Sequence, residues 1–270
     1  MIRFVQLSFL AIFLLVCFSG CKKMKPAVVA PIKPVEEEKP VVVVPPTKKN
    51  MLPVMFSSTG STIEITYLEN TGLIKEMKFS SGINYKFTYR DNVLLKLQMF
   101  SRAELVASAD YLITNEQITR VSRIAHRGSV NTPKEKYYLE YNKIGQVLNL
   151  KTFAVNNTLF SEQDIVYHTD GNLLTSKFSK GGVTSNYNYK YDTKNGIFQF
   201  VSFFQLLRIE IDEPILNVGI NNLISMTNDK VSNENINYEY VYGADDYPSE
   251  VNVKQNDVLK TYKITYVAFK

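Results

Sequence analysis

The sequence predicts an all-β protein, an antiparallel meander of hairpin repeats that curls or twists into one sheet. Three observations predict it: tyrosines return about every 24 residues, apolar and polar side chains alternate between them, and Asn and Gly separate the alternating runs. Alternation with a period of two places the apolar side chains on one face of a strand. Because Asn and Gly adopt the positive φ of tight turns, each repeat is expected to be one β-hairpin.

The N-terminus predicts an export signal at residues 1–20. Arg3 is followed by an apolar run from Phe4 to Phe18 and then by Ser19, Gly20 and Cys21. One cation, a short apolar stretch and small residues describe a signal peptide, whereas a transmembrane helix needs about 20 apolar residues. An ordinary secretory signal that happens to end in Cys is the alternative.

The ending Phe18-Ser19-Gly20-Cys21 resembles the lipobox of bacterial lipoproteins. The resemblance implies cleavage between Gly20 and Cys21 and lipidation of Cys21, so that several acyl chains anchor the protein to a membrane. Phe18 departs from the usual Leu, Val or Ile. Lys22 follows the cysteine where an Asp would favour retention at the inner membrane. We therefore expect an envelope protein anchored to the outer membrane, on its periplasmic face.

Residues 21–54 predict a stiff tether. They hold seven of the ten prolines, among Val, Lys and Glu. Repeated proline favours extended polyproline II, at about 3.1 Å per residue, which gives a reach of roughly 90 Å. The β domain is then expected at 55–270.

The repeat is marked by tyrosines that close successive predicted strands. These are Tyr67, Tyr89, Tyr141, Tyr167, Tyr191, Tyr242 and Tyr266. Two of the intervals span two periods, and Ile113 occupies the missing place in the first of them. About eight hairpins follow, with almost no helix.

Tyr141 to Leu148, Tyr167 to Thr175 and Tyr191 to Gly196 resemble the YD repeat of RHS-type proteins. The run from Tyr238 to Val251 is similar to a segment of uncharacterised bacterial lipoproteins with β repeats. Asn142 and His168 replace the usual Asp of the repeat. The resemblance implies a β architecture and brings no activity with it.

An irregular insertion at about 198–230 interrupts the repeat. Phe198 to Leu207 is dense in apolar residues, and Asp212-Glu213-Pro214 before Ile215 is typical of the start of a short helix. A long loop or another strand pair are the alternatives. Such an insertion is expected to lie across an open end or face of the sheet and to serve the protein's own task.

The composition excludes several functions. Both cysteines, Cys17 and Cys21, lie in the first 21 residues, so the rest of the chain has no thiol for a disulfide, a zinc finger or catalysis. Residues 50–270 hold equal numbers of basic and acidic side chains, which argues against a nucleic-acid partner. Two histidines far apart give no metal-ligand pattern, and no phosphate-binding or dinucleotide motif is present. We expect no metal, no cofactor and no enzyme.

Two sets of residues are candidate binding sites. Arg120, Arg123 and Arg127 surround His126 and predict an anion contact, unless they are ordinary side chains on the wet face of a strand. Tyrosines at alternate positions of two strands form either a buried core or an exposed ligand face. These are Tyr187, Tyr189, Tyr191, Tyr238, Tyr240 and Tyr242.

The function expected from the sequence is a membrane-anchored, non-catalytic binding or scaffold module of the cell envelope. Its partners would be the membrane, through Cys21, and an envelope protein or a glycan. A lipoprotein that binds a glycan or small ligand on its tyrosine-rich face is the alternative, and an accessory hydrolase is the third.

Overall fold

The computed structural model describes residues 50–216 and 219–269, and in them sixteen antiparallel strands form a closed barrel. Each strand pairs with its neighbours in sequence, and β1 pairs with β16. The strands are β1 (Asn50–Ser58), β2 (Ser61–Tyr67), β3 (Ile74–Phe79), β4 (Ile83–Arg90), β5 (Val93–Ser101), β6 (Glu104–Thr114), β7 (Gln117–Arg127), β8 (Val130–Tyr141), β9 (Val147–Phe153), β10 (Leu159–Tyr167), β11 (Leu173–Lys180), β12 (Val183–Tyr191), β13 (Leu223–Asn228), β14 (Ile236–Tyr242), β15 (Pro248–Gln255) and β16 (Val258–Phe269). The predicted signal peptide, the lipidation site Cys21 and the tether up to residue 49 lie outside the described residues.

The antiparallel meander is confirmed, but the sheet closes where the sequence predicted a curled or twisted one. The closing pair runs from Asn50 opposite Phe269 to Ser57 opposite Lys263. Hairpin signals describe only strands that are neighbours in sequence, so they carry no information about this pairing of the two chain ends. The first strand also takes residues 50–54 from the predicted tether, and Pro53 fits because it lies where the register shifts between Pro53 and Met55.

The two ends of the barrel differ in what they hold. The insertion end carries the connection from β12 to β13, residues 192–222, together with the chain ends at Asn50 and Phe269. The open end carries the turns that join odd-numbered strands to the next strand, such as Gly181-Gly182 between β11 and β12. Both of those glycines have positive φ, of 57° and 80°, as a two-residue hairpin turn requires.

The repeated tyrosines have a common structural role at the insertion end. A register shift lies directly before the last residue of β2, β8, β10, β12 and β14, a tyrosine in each, and before Tyr89, the last residue but one of β4. In four of these strands the phenol donates a hydrogen bond to a carbonyl near the start of the preceding strand. The bonds run from Tyr67 to Pro53 (2.7 Å), Tyr89 to Ile74 (2.8 Å), Tyr141 to Ile118 (2.7 Å) and Tyr167 to Val147 (3.0 Å). These four tyrosines, called the tyrosine ring below, tie neighbouring strands together inside the barrel.

Side chains of the wall alternate between an inner face that packs into the core and an outer face that carries both charged and exposed apolar side chains. On β4, Tyr85 and Phe87 are buried in the core, while Lys86 and Thr88 between them are exposed. Cross-strand pairs on the outer face include Lys96 with Asp110, whose nitrogen and oxygen lie 3.1 Å apart. Alternation thus directs one side of every hairpin into a single interior core.

The insertion enters the lumen, whereas the sequence predicted that it would lie across an open end or face. Its residues contact strands all around the barrel: Phe198 stacks on Phe56 of β1, with ring centroids 5.6 Å apart, and Arg208 lies 5.7 Å from the Tyr189 ring of β12. Only a segment inside the barrel can reach both. A barrel of sixteen strands is too wide for wall side chains alone to fill, which is the physical reason for the insertion.

Residues 198–230 were predicted to be irregular, but β13 lies within that range and the non-strand part is 192–222. The short helix predicted near Pro214 is a 3-10 turn, Pro214–Leu216. An α-helix, α1 (Phe204–Glu210), precedes it and was not predicted. Because α1 contacts protein on several sides, its sequence lacks the polar face that marks a surface helix. Within the described residues, no helix has the length and apolar character needed to cross a membrane.

One glycine allows the insertion to enter. The Ser202 backbone N–H donates to the Gly72 carbonyl at 2.9 Å, beside the turn between β2 and β3. A Cβ on Gly72 would lie 2.0 Å from the Phe200 carbonyl oxygen, so any side chain there would displace the insertion.

Candidate functional site: the open-end cavity

A cavity occupies the part of the lumen that the insertion leaves empty. Its first lobe has a volume of about 440 Å³ and lies between β4–β8 and the end of α1. The apolar lining is formed by Tyr85, Leu97, Met99, Ala107, Ala109 and Ala125. Three of these residues are alanines on the adjacent strands β6 and β7, so the wall here is thin and leaves space. The volume is within the range of ordinary small-molecule sites.

A second lobe of about 480 Å³ adjoins the first, since Lys134 and Glu135 line both. Inward-facing Tyr137, Thr152 and Ser161 form its inner wall. Val155 and Phe160, in and beside the turn between β9 and β10, form its outer edge. We call the two lobes together the open-end cavity.

Arg123 organises the floor of this cavity. Its Nε donates to Glu210 of α1 and its Nη1 to Glu135 of β8, both at 2.9 Å, and its Nη2 donates to the Ile209 carbonyl at 2.8 Å. The guanidinium also lies 4.6 Å from the centre of the Tyr137 ring. A planar, multiply donating guanidinium suits such a junction. It joins the inserted helix to two strands of the wall.

The two carboxylates differ in their surroundings. Burial raises the pKa of Glu210, whose side chain is 6% exposed, and the Arg123 charge opposes that shift only in part. Burial also acts to raise the pKa of Glu135, but hydrogen bonds from its own backbone and from Arg123 lower it overall. Arg123, Glu135 and Glu210 are called the triad below. It therefore consists of one strongly buried and one partly exposed carboxylate, both paired with a single cation.

The arginines of the predicted anion contact do not come together. Arg123 points into the lumen, whereas Arg120 is paired with Leu112 and Tyr138 on the outer face, and Arg127 is exposed beside the turn between β7 and β8. Residues an odd number apart on a strand face opposite sides, which separates Arg120 from Arg123.

All six tyrosines of the predicted ligand face point into the barrel. Tyr189 and Tyr238 are buried, and the other four are half-buried. Tyr187 and Tyr189 line a smaller inner cavity of about 190 Å³ with Arg208. The hydroxyl of Tyr187 donates to Glu234, that of Tyr240 to the Leu223 carbonyl and that of Tyr242 to Asp192. They belong mainly to the core, and two of them reach a cavity.

A Ser-His-Asn row crosses three strands on the outer face. The Ser108 Oγ lies 2.9 Å from His126 Nε2, and His126 Nδ1 lies 2.6 Å from the Asn131 Oδ1. This is the order of contacts in a serine hydrolase. However, Ser108 is 6% exposed and stands on a ladder of paired strands. The row is suited to joining β6, β7 and β8.

A separate cavity of about 400 Å³ lies at the insertion end, lined by Gln117, Tyr141 and Val147 of the wall and by Val201 and Phe203 of the insertion. A narrow cavity of about 50 Å³ between α1 and β9–β11 has room for one or a few waters. The Asp192 carboxylate is occupied by Asn222 and Tyr242. No cluster of three His, Cys, Asp or Glu side chains within residues 50–216 and 219–269 is arranged to hold a metal ion.

Glu135 and Glu210 were missed by the reasoning from sequence. The two lie 75 residues apart in sequence, and no motif marks either. Their meeting at Arg123 depends on the insertion entering the lumen, which the residue pattern does not encode.

Comparison with known proteins gives a fold and no family. No protein-family model matches the chain, and no curated protein matches its sequence. Among solved structures, the chain is similar to a porin-like protein from Bacteroides uniformis, with a TM-score of 0.50 and 14% identity. The match covers 83% of this chain and 96% of that one. At this identity the likeness supports the porin-like barrel fold alone.

Proposed function

We propose that the protein is a lipid-anchored binding module of the bacterial envelope, and that its open-end cavity holds a small organic ligand without transforming it. The observation that carries the proposal is the half-filled lumen. The insertion occupies one end and leaves a cavity of about 400 Å³ there, while thin alanine walls and a charged floor define a larger, two-lobed cavity at the other.

The lipid anchor at Cys21 is supported by the apolar run and the Ser19-Gly20-Cys21 ending. Charged side chains near the middle of the outer wall support a barrel that stands in water beside the membrane. Lys86, Lys177 and Glu239 are exposed on it, and a charge facing lipid at mid-depth costs about 2–4 kcal/mol for a cation. We place the protein at the outer membrane, on the periplasmic face, where a porin-like neighbour makes an envelope site reasonable.

The anchor is tested by labelling the full chain with a fatty-acid probe in growing bacteria. Wild type is expected to carry the label, and Cys21→Ala is expected to lose it because no other thiol is available in the mature chain. Cys17→Ala is the matched control, since residue 17 belongs to the predicted signal. Equal labelling of Cys21→Ala and wild type would contradict the proposal.

The cavity is tested by filling it. The barrel domain, residues 47–270, contains all sixteen strands and the core, so it is suitable for purification by itself. Ala107→Trp and Ala125→Trp place an indole in the first lobe, while Ala268→Trp makes the same change at an exposed position. After purification from the periplasm, each protein is denatured and the released small molecules are identified by mass spectrometry.

We expect wild type and Ala268→Trp to release the same compound, and the two cavity variants to release much less of it. Melting temperatures show whether the cavity variants fold. A compound that folded cavity variants retain in full, or a wild type that releases none, would reject the cavity as a binding site.

An accessory hydrolase is the second candidate, because Ser108, His126 and Asn131 have a nucleophile, a base and an orienting group in contact. A fluorophosphonate probe tests it, since the probe reacts only with an activated serine. The binding proposal expects no labelling of Ser108. Labelling that Ser108→Ala abolishes would favour the hydrolase.

A further inference from the structure

We propose that the ligand of the open-end cavity is an amphiphile with an alkyl chain and an anionic head group, such as a carboxylate or a phosphate. This inference rests on the proposed binding function and adds the chemical class of the ligand. Three features of the cavity support it: the lining of the first lobe, the rim and two lysines.

The first lobe requires no polar partner from a ligand. Leu97, Met99 and the three alanines present only apolar atoms of their side chains. The polar groups of its floor satisfy one another, because Arg123 donates to Glu135, Glu210 and a backbone carbonyl. A sugar would bring many hydroxyls to this surface and lose their hydrogen bonds with water, whereas an alkyl chain loses none. The lobe therefore favours a hydrocarbon chain.

The rim beside the cavity is also apolar, which is unusual for hairpin tips. Three consecutive hairpins of the open end carry large exposed apolar residues: Val130, Val155, Leu159, Phe160 and Val183. Their exposed fractions run from 49% for Phe160 to 63% for Val183. Val155 and Phe160 belong to the second lobe as well, so the rim and the cavity form a continuous apolar surface. A chain that extends out of the cavity would cover it.

Two lysines stand at the boundary between this surface and water. Lys134 lines both lobes, and Lys180 places its Nζ 4.3 Å from the centre of the Phe160 ring. Neither makes an ion pair within the described residues, unlike Lys96, Lys151 and Lys260. Because the two carboxylates of the floor already share Arg123, the lysines are the available charges. They match an anionic head group held at the mouth of the cavity.

Isothermal titration of the barrel domain tests the inference with a series of twelve-carbon compounds below their micelle concentrations. Dodecanoate and dodecyl phosphate carry anionic heads, dodecyltrimethylammonium carries a cationic one, and octanoate shortens the chain. We expect both anionic compounds to bind, with the stronger of the two indicating which head the site prefers. Affinity should fall about fourfold for each methylene removed, from about 0.8 kcal/mol per methylene.

The lysines are tested by the double variant Lys134→Ala with Lys180→Ala. It is expected to bind dodecanoate about fivefold more weakly, as two solvent-accessible charge contacts together contribute about 1 kcal/mol. The matched control is Lys177→Ala with Lys190→Ala, two exposed lysines on the outer wall. Dodecanoate affinity unchanged in Lys134→Ala with Lys180→Ala would overturn the role of the lysines.

Equal binding of the cationic and anionic compounds, or equal affinity for octanoate and dodecanoate, would overturn the ligand class. Binding that persists in Ala125→Trp would place the amphiphile outside the cavity and also overturn it. Failure of the ligand class can be told apart from failure of the proposed binding function. If wild type releases a natural compound that the filled variants lack, while no twelve-carbon compound binds, then the cavity binds ligand and only the class is wrong.

Discussion

The two halves of the lumen are enclosed by the same sixteen strands and yet are built differently. At the insertion end, aromatic side chains of the insertion stack on the wall and the tyrosine ring links neighbouring strands. At the open end, alanines replace those large side chains and a salt-bridged triad forms the floor. The comparison teaches that the packed aromatic core and the proposed binding cavity occupy separate halves of one barrel, so we expect each to change with little effect on the other.

The largest expected effect is on the free energy of unfolding, when one phenylalanine is truncated in each half. Phe198→Ala at the insertion end should lower the free energy of unfolding by about 3–5 kcal/mol, because its ring is 1% exposed and stacks on Phe56. Phe160→Ala at the open rim should cost less than about 1 kcal/mol, since its ring is half in water. Urea unfolding measures both. Similar costs for the two variants would mean that the rim is also part of the stabilising core.

A smaller effect is expected from the tyrosine ring. Tyr141→Phe keeps the ring but removes the hydroxyl that donates to the Ile118 carbonyl, so unfolding should become easier by about 1 kcal/mol. Tyr138→Phe is the matched control on the same strand, because Tyr138 is 40% exposed on the outer face. Its stability should equal that of wild type within error. If the two variants cannot be told apart in urea, the ring hydroxyls contribute nothing to closure.

The smallest effect concerns Glu210, at the junction of the two halves. For it we predict only the direction in which the free energy of unfolding changes with pH. Because burial raises the pKa of Glu210 in the folded state, Glu210 contributes stability that is full below its unfolded pKa and is lost as pH rises through its folded pKa. The free energy of unfolding of wild type minus that of Glu210→Gln should therefore increase as pH falls from 7 to about 4. Glu239→Gln, on the outer wall, should show no such trend. A difference that decreases toward low pH would mean that Arg123 dominates the Glu210 carboxylate.

The strands and hairpin turns could be predicted from the sequence, because each depends on residues that are close together in the chain. The alternation around Tyr85 and Phe87 identifies a half-buried strand, and Gly181-Gly182 identifies a turn. Tyrosine spacing also located the ends of six strands to within one residue, whereas β16 runs three residues past Tyr266. These features depend on residues within one hairpin.

The closure and the cavity depend on residues that are far apart in sequence. Asn50 meets Phe269, and Glu210 meets Arg123 across 87 residues. The apolar density of Phe198 to Leu207 indicated burial, but its location inside the barrel follows only from the width of sixteen strands. The candidate tyrosines were found because they lie on strands, whereas Glu135 and Glu210 act through a contact that no local pattern records.

The seam between β1 and β16 makes the barrel dependent on the twelve residues of β16. Until Val258–Phe269 has been synthesised and exported, β1 and β15 each present a row of unpaired backbone donors and acceptors. Such rows are templates for pairing with other chains. A chain truncated before Val258 should therefore associate through its two free edges, with β1 of one copy pairing with β15 of the next.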